Sequence, residues 1–261
     1  MKIKNIMWLT LIGILMFFGC QNEEISSLNK TGSLEEREAI DNNVVTIDHT
    51  YNYQGSQFKV SYTYDQENNK VLGADGDVKL AQEVFGDEEN APKSLFFNNP
   101  IEGSTNIDVM VFDNAEELKA YTAKVANDFP DAQRKAGNVS SKCDSYDVSG
   151  NGSFYFYKHA NYNTGMLGMW RVGRYYYRHH WVGSGNNDQL SSLVVAKPEN
   201  KQAIVYLYQH SCYGGKVIGF YGGTGNNGFA VSNLSWYTMS GWWWWKTSWN
   251  DQVSSTSGWA W

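Results

Sequence analysis

The chain has 261 residues, enough for one or two domains with a sizeable buried core. It carries 21 basic against 27 acidic side chains, a formal net charge of −6. No basic stripe exists to neutralise phosphates, which excludes a nucleic-acid partner.

Lys2 and Lys4 precede an apolar run from Ile6 to Phe18, which ends at Gly19-Cys20. A basic head, a short apolar stretch and a small residue at the break read as a secretory signal over 1–19. The run is too short for a transmembrane helix. Gly19-Cys20 resembles the lipobox of bacterial lipoproteins, although Phe17 and Phe18 replace the usual Leu and small residue. The resemblance implies acylation of Cys20, a membrane anchor through that lipid and residence in the cell envelope. The acidic Gln21-Asn22-Glu23-Glu24 that follows resembles the signal sending some lipoproteins to the outer membrane and its exposed surface. Loss of two lysines and no acid with residues 1–19 takes the charge from −6 to −8. Residues 20–43 are polar, with a Glu35-Glu36-Arg37-Glu38 run, and read as a flexible tether.

From Val44 the pattern changes to that of a small α+β domain over 44–128. Phe58, Val60, Tyr62 and Tyr64 alternate with polar residues, which predicts a half-buried strand over Gln57 to Tyr64. Glu67 to Lys70 supplies a turn. A helix is expected from Val78 to Phe85, stopped by Gly86, and strands from Ser94 to Phe97 and Ile107 to Phe112. Asp113-Asn114-Ala115-Glu116 is read as a capping box opening a second helix with Leu118, Tyr121 and Val125 on one face. His49 is expected at the surface. No metal spacing, nucleophile motif or phosphate loop is found in this segment.

Residues 129–150, with Pro130 and several Ser and Gly, read as a linker. Ten of the eleven tryptophans lie at or beyond Trp170, among short aromatic-rich segments bounded by Gly and Asn. That pattern predicts an all-β sandwich or barrel over 151–261, and a mainly β protein as a whole. With Cys20 assigned to lipid, Cys143 and Cys212 remain, either as a disulfide permitted by export or as two buried thiols.

This last segment repeats itself. Tyr157-x-His159-x-x-Tyr162 precedes Asn187-Asp188-Gln189-Leu190-Ser191-Ser192, and Tyr208-x-His210-x-x-Tyr213 precedes Asn250-Asp251-Gln252-Val253-Ser254-Ser255. Two motifs recurring in one order indicate a duplicated supersecondary unit. The loops are built of amide, carboxylate and hydroxyl groups, the oxygen-rich set that a hard cation prefers. The spacing from Tyr157 to Ser191 is 34, but from Tyr208 to Ser254 it is 46. The second copy therefore carries an insertion, placed either near Gly222 to Asn227 or in the Trp-rich stretch.

Over roughly 152–258 these elements resemble the two signatures of a βγ-crystallin Greek key motif. One is the aromatic-cornered hairpin and the other the N/D-N/D-x-x-S/T-S calcium loop. The first copy departs at Thr164, where the family has Gly and this chain places Gly165 one position later. The resemblance implies two Greek keys paired into a β-sandwich, with calcium as cofactor and each site joining the loop of one motif to the hairpin of the other. Implied ligands are side-chain oxygens of Asn187/Asp188 and Asn250/Asp251 and the hydroxyls of Ser191 and Ser254. Main-chain carbonyls near Gln189 and Gln252, and from hairpins 158–161 and 209–212, would complete them. So few formal charges imply a Kd on the order of 10⁻⁵ to 10⁻³ M. The alternative is that the loops are Asx-type turns closed by serine hydroxyls.

His159 and His210 are repeat-equivalent and expected to share a structural role. No histidine lies in a triad-like or metalloprotease arrangement, and no enzyme activity is expected. Trp242-Trp243-Trp244-Trp245, extended by Trp236, Trp249, Trp259 and Trp261, reads either as core filling or as a ligand surface. Two rival functions follow. A secreted branch of the resembled family blocks metalloproteinases, which makes a protease a candidate partner, and the Trp-rich patch makes a glycan another.

Overall fold

A computed structural model of the protein describes residues 43–68, 70–87, 89–101, 104–125, 143–163, 166–240 and 247–261, with side chains left out of account for 146–151 and 166–175. The expected signal, Cys20 with its lipid, the tether up to 42 and Trp242 to Trp245 lie outside the described residues, as do Thr164 and Gly165.

Alternating apolar residues produce long strands at the start. β1 (Val44–Tyr53) and β2 (Ser56–Asp65) form a ten-residue antiparallel hairpin, and β3 (Lys70–Gly76) adds to β2. The hairpin turn uses Gln54 and Gly55 with φ of 48° and 80°, a left-handed pair that suits the twist of two-residue turns. Tyr51, Phe58, Val60, Tyr62 and Tyr64 face inward as their spacing requires. Asp65 closes the turn before β3 by accepting from the N–H groups of Glu67 and Asn68.

α1 (Val78–Phe85) spans the residues expected and ends where the Gly86 N–H donates to the Gln82 carbonyl. β4 (Ser94–Asn98) and β5 (Asn106–Phe112) pair with each other, and β5 lies parallel to β1. α2 (Ala115–Val125) opens one residue later than the capping box read from the sequence. Asn114 Oδ1 accepts from the Glu117 N–H at 2.9 Å, while the Glu117 carboxylate takes the Asn114 amide and the Asp113 N–H. Both Asp113/Glu116 and Asn114/Glu117 have capping spacing; the second pair also lets Leu118 turn under the sheet, 1% exposed.

The repeated segment supplies β6 (Tyr146–Tyr157), β7 (Met166–His179), β8 (Ser192–Ala196), β9 (Ala203–His210), β10 (Gly214–Gly222), β11 (Gly228–Val231) and β14 (Ser255–Ala260). Two short strands, β12 (Thr238–Ser240) and β13 (Thr247–Ser248), pair separately. The others form a twelve-stranded sheet in the order β11-β8-β6-β7-β14-β9-β10-β4-β5-β1-β2-β3. The molecule is mainly β and sandwich-like, with two helices among the described residues.

β4 lies parallel to β10, Ser94 opposite Val217 and Phe97 opposite Phe220, so hydrogen bonding runs unbroken between segments that composition separates at 129–150. β6 begins at Tyr146, inside that stretch. The core is equally continuous: Tyr64 OH donates to the Trp236 carbonyl, and Phe97, Phe220 and Tyr237 form one ring cluster with centroids 4.7 to 5.3 Å apart. A buried aromatic of this size contributes about 1.5–3 kcal/mol. Trp249 is fully inside, and Trp236, Trp259 and Trp261 pack against the two apolar clusters. Trp249 is therefore a core residue, while the other three are half-buried at the margins of the core.

His49 corrects the sequence reading. It is 1% exposed, its Nδ1 lies 2.8 Å from Tyr51 OH, and its ring sits edge-on to Tyr51 and Tyr62. A histidine on the inward register of β1 has no route to the surface.

Candidate functional site

Within each repeat the hairpin is tied to its own loop by the same set of hydrogen bonds. Tyr157 carbonyl accepts from Ser191 N–H at 2.9 Å, and Tyr208 carbonyl from Ser254 N–H at 3.0 Å. Ser192 Oγ donates to the His159 carbonyl at 2.6 Å, and Ser255 Oγ to the His210 carbonyl at 2.6 Å. Each of those serines also accepts an N–H, from Tyr162 and Tyr213 respectively. The two histidines thus share a structural role, exercised through their main chain.

Both corners bend in the same way. Asn161 and Tyr162 have φ of 57° and 57°, Cys212 and Tyr213 of 57° and 63°. Non-glycine residues adopt this region at a cost, and the serine bonds hold them there. Folding the chain back sets Tyr157 edge-on to Tyr162 at 5.7 Å and Tyr208 edge-on to Tyr213 at 5.3 Å. A disulfide joins Cys143 to Cys212 at the second corner, with a Cα separation of 4.5 Å.

The repeated loops interlock. Asp188 N–H donates to the Val253 carbonyl, and Asp251 N–H to the Leu190 carbonyl. Both aspartates are left-handed, φ 53° and 55°, a conformation that Asp and Asn tolerate better than most residues. Each takes a hydrogen bond on its Oδ2 from the preceding amide, Asn187 at 2.6 Å and Asn250 at 2.8 Å. That leaves Asp251 Oδ1 for the hydroxyl of Ser191.

The same reciprocity locates the insertion. Val182 N–H bonds the Ser254 carbonyl, and Leu234 N–H bonds the Ser191 carbonyl, so Val182 and Leu234 are equivalent. From Val182 to Asp188 is six positions; from Leu234 to Asp251 is seventeen. Eleven of the twelve extra residues thus lie in the Trp-rich stretch, and one lies between Tyr213 and Leu234.

Between the loops and the first hairpin lies a cavity of about 320 Å³, lined by Lys158, His159, Ala160, Asp188, Gln189, Ser191, Asn250 and Asp251. Ser191 Oγ donates to the Lys158 carbonyl at 2.6 Å and stands 3.4 Å from Asp251 Oδ1. A carboxylate, a hydroxyl and a main-chain carbonyl therefore converge from three parts of the chain. Burial pushes the Asp251 carboxyl up from its ordinary value, opposed by the Ser191 bond and reinforced by Asp188 nearby. Asn187 Oδ1 is buried with no hydrogen-bond partner among the described residues. The cavity joins the first hairpin to both loops, where the sequence suggested one loop with the opposite hairpin. Gln252 and Ser254 do not line it; Ser254 is engaged through its main chain with Tyr208 and Val182.

The donors are all oxygen, and no three His, Cys, Asp or Glu side chains cluster at metal-binding distance among the described residues. Such a set suits a hard cation and offers nothing to a thiophilic one. Compared with protein-family models, with curated proteins and with solved structures, the chain matches none.

Proposed function

We propose that this protein is an exported, lipid-anchored binding protein of βγ-crystallin type, whose paired loops hold calcium. The convergence of Ser191 Oγ, the Lys158 carbonyl and Asp251 Oδ1 carries the reading. Calcium bound there supplies positive charge that links the two repeats. Asp251 brings the one full negative charge of that trio, Asn250 steers its other oxygen, and the left-handed backbone of the loop turns the carboxylate toward the first hairpin. Lys158 contributes only its carbonyl; its ammonium reaches away to the Gly185 carbonyl at 3.3 Å.

The site's function is to add to the stability of the folded state when the ion is bound. A ligand that binds the folded chain alone stabilises it by mass action. The Cys20 anchor and the polar tether place that domain on the envelope surface. Isothermal titration with calcium and then magnesium tests the metal assignment. Calcium binding with a Kd near 10⁻⁵ to 10⁻³ M, lost in Asp251→Ala, supports it; equal magnesium binding, or an unchanged Asp251→Ala titration, sinks it.

A further inference from the structure

A second cavity of about 220 Å³ lies on the opposite apolar cluster, between α2 and the sheet face of β7, β14 and β9. Its origin is legible in the register. Across the sheet, Tyr176 stands opposite Trp259 and Arg178 opposite Ser257, which in turn stands opposite Tyr206. One small residue, Ser257, thus sits among rings and leaves a hollow beneath α2.

The lining is aromatic below and cationic at the edge. Tyr176, Tyr206, Tyr208, Tyr213 and Trp259 provide ring surface, and Lys119 and Arg178 are the charged residues that line it among the described residues. The chain as a whole is acidic, so this local excess of positive charge selects for an anion. The Arg178 guanidinium lies 4.1 Å from the Tyr213 ring centroid, a cation–π contact. Among the described residues it has no carboxylate partner; the ion pair found there is Lys59 with Asp48. The floor is also hydroxylated: Tyr208 OH and Ser257 Oγ are 3.2 Å apart, and Tyr206 OH donates to Thr122 Oγ1.

We propose that this cleft binds an acidic sugar, a hexuronate unit of a glycan. At about 30 Å³ per water the cavity holds roughly seven waters, the room that one six-membered ring with its substituents replaces. The C–H face of a pyranose stacks on tyrosine and tryptophan rings, the Arg178 fork takes the carboxylate, and the Ser257 and Tyr208 hydroxyls take sugar hydroxyls. An aromatic acid would satisfy the rings and Arg178 but not the hydroxylated floor.

The test is independent of the calcium loops and is run in chelator. Glucuronate and galacturonate are titrated into the purified protein against glucose, galactose and benzoate at equal ionic strength. Readouts are calorimetry and Trp emission, to which Trp259 in the cleft contributes. Uronates are expected to bind at least about tenfold more tightly than the neutral sugars and than benzoate, the size of one charge-assisted fork and its companion hydroxyl bonds. Arg178→Gln should remove that preference at an unchanged melting temperature. Ser257→Leu, which fills the hollow, should block all sugars and keeps the test sharp if Arg178→Gln unfolds. Uronates no tighter than neutral sugars, benzoate as tight as uronate, or Ser257→Leu binding like the parent would each overturn the proposal.

Discussion

If calcium joins the Asp251 carboxylate to the first hairpin, its removal must appear as a measurable loss of stability. Taking a Kd of about 10⁻⁴ M, the middle of the range for sites of this charge, 10 mM free calcium is roughly 100 times Kd. Mass action then stabilises the folded state by about 2.7 kcal/mol. The compact unit runs from Asp41 to Trp261. At ~2.1 cal/mol/K per residue its unfolding entropy is about 0.46 kcal/mol/K, so the melting temperature should rise by about 6 °C. The assay is scanning calorimetry in 10 mM calcium, 10 mM magnesium and chelator. Asp251→Asn sharpens it. In chelator the amide relieves a desolvated charge and suits the left-handed φ of 55°, so the variant should melt above the parent, while the calcium increment disappears. A calcium increment that survives in Asp251→Asn, or one matched by magnesium, would refute the reasoning.

Proton competition is the second prediction. Because burial raises the folded carboxyl above its unfolded value, the folded state holds the proton more tightly, and this group's contribution to stability falls as pH rises through that window. Calcium affinity should run the other way, weakening as pH falls through the raised value and strengthening toward neutrality, as titrations across acidic pH to pH 7 will read. Ser192→Ala and Ser255→Ala each strand a backbone carbonyl and should cost about 1–3 kcal/mol in urea unfolding, in near-equal amounts because their bonds are both 2.6 Å. Replacing Cys143 and Cys212 by Ser opens a loop of 69 residues and should cost up to about 4 kcal/mol. An oxidised parent no more stable than that variant would show that the cross-link does not constrain the unfolded chain.

Much of the secondary structure was legible because it is written in period. The inward set Phe58, Val60, Tyr62 and Tyr64 marks β2, and α1 falls between the residues its stop signal allows. The repeated loops were legible as well, since two copies of one hexapeptide leave little else to infer. What the sequence hid is non-local. Nothing in Ser94 to Asn98 names Val217 to Tyr221 as its neighbour, because parallel pairing carries no turn signature. The burial of His49 was hidden for a similar reason: its register in β1 is plain, but not that the rings of Tyr51 and Tyr62 would close around it. The position of the insertion needed hydrogen bonds that tie Val182 and Leu234 to each other's repeats. The aromatic cleft was missed because its residues come from α2, β7, β9, the Tyr213 corner, β10 and β14, and its one local signal is a serine amid rings.

The β4–β10 pairing also governs the timetable of folding. Val217 follows its partner Ser94 by 123 positions, so the pair can form only after an interval in which all the intervening chain has emerged, and contacts of such separation form slowly. Through that interval β4 has a bare edge carrying Leu95, Phe96 and Phe97, and the mature end of the chain cannot complete its sheet. The repeat pair faces the converse problem. Cut away from residues before 143, it would present β10 as an unpaired, apolar edge, a template for self-association. Neither half is a unit of inheritance that could be moved to another protein intact; whatever shuffles this sequence must carry both.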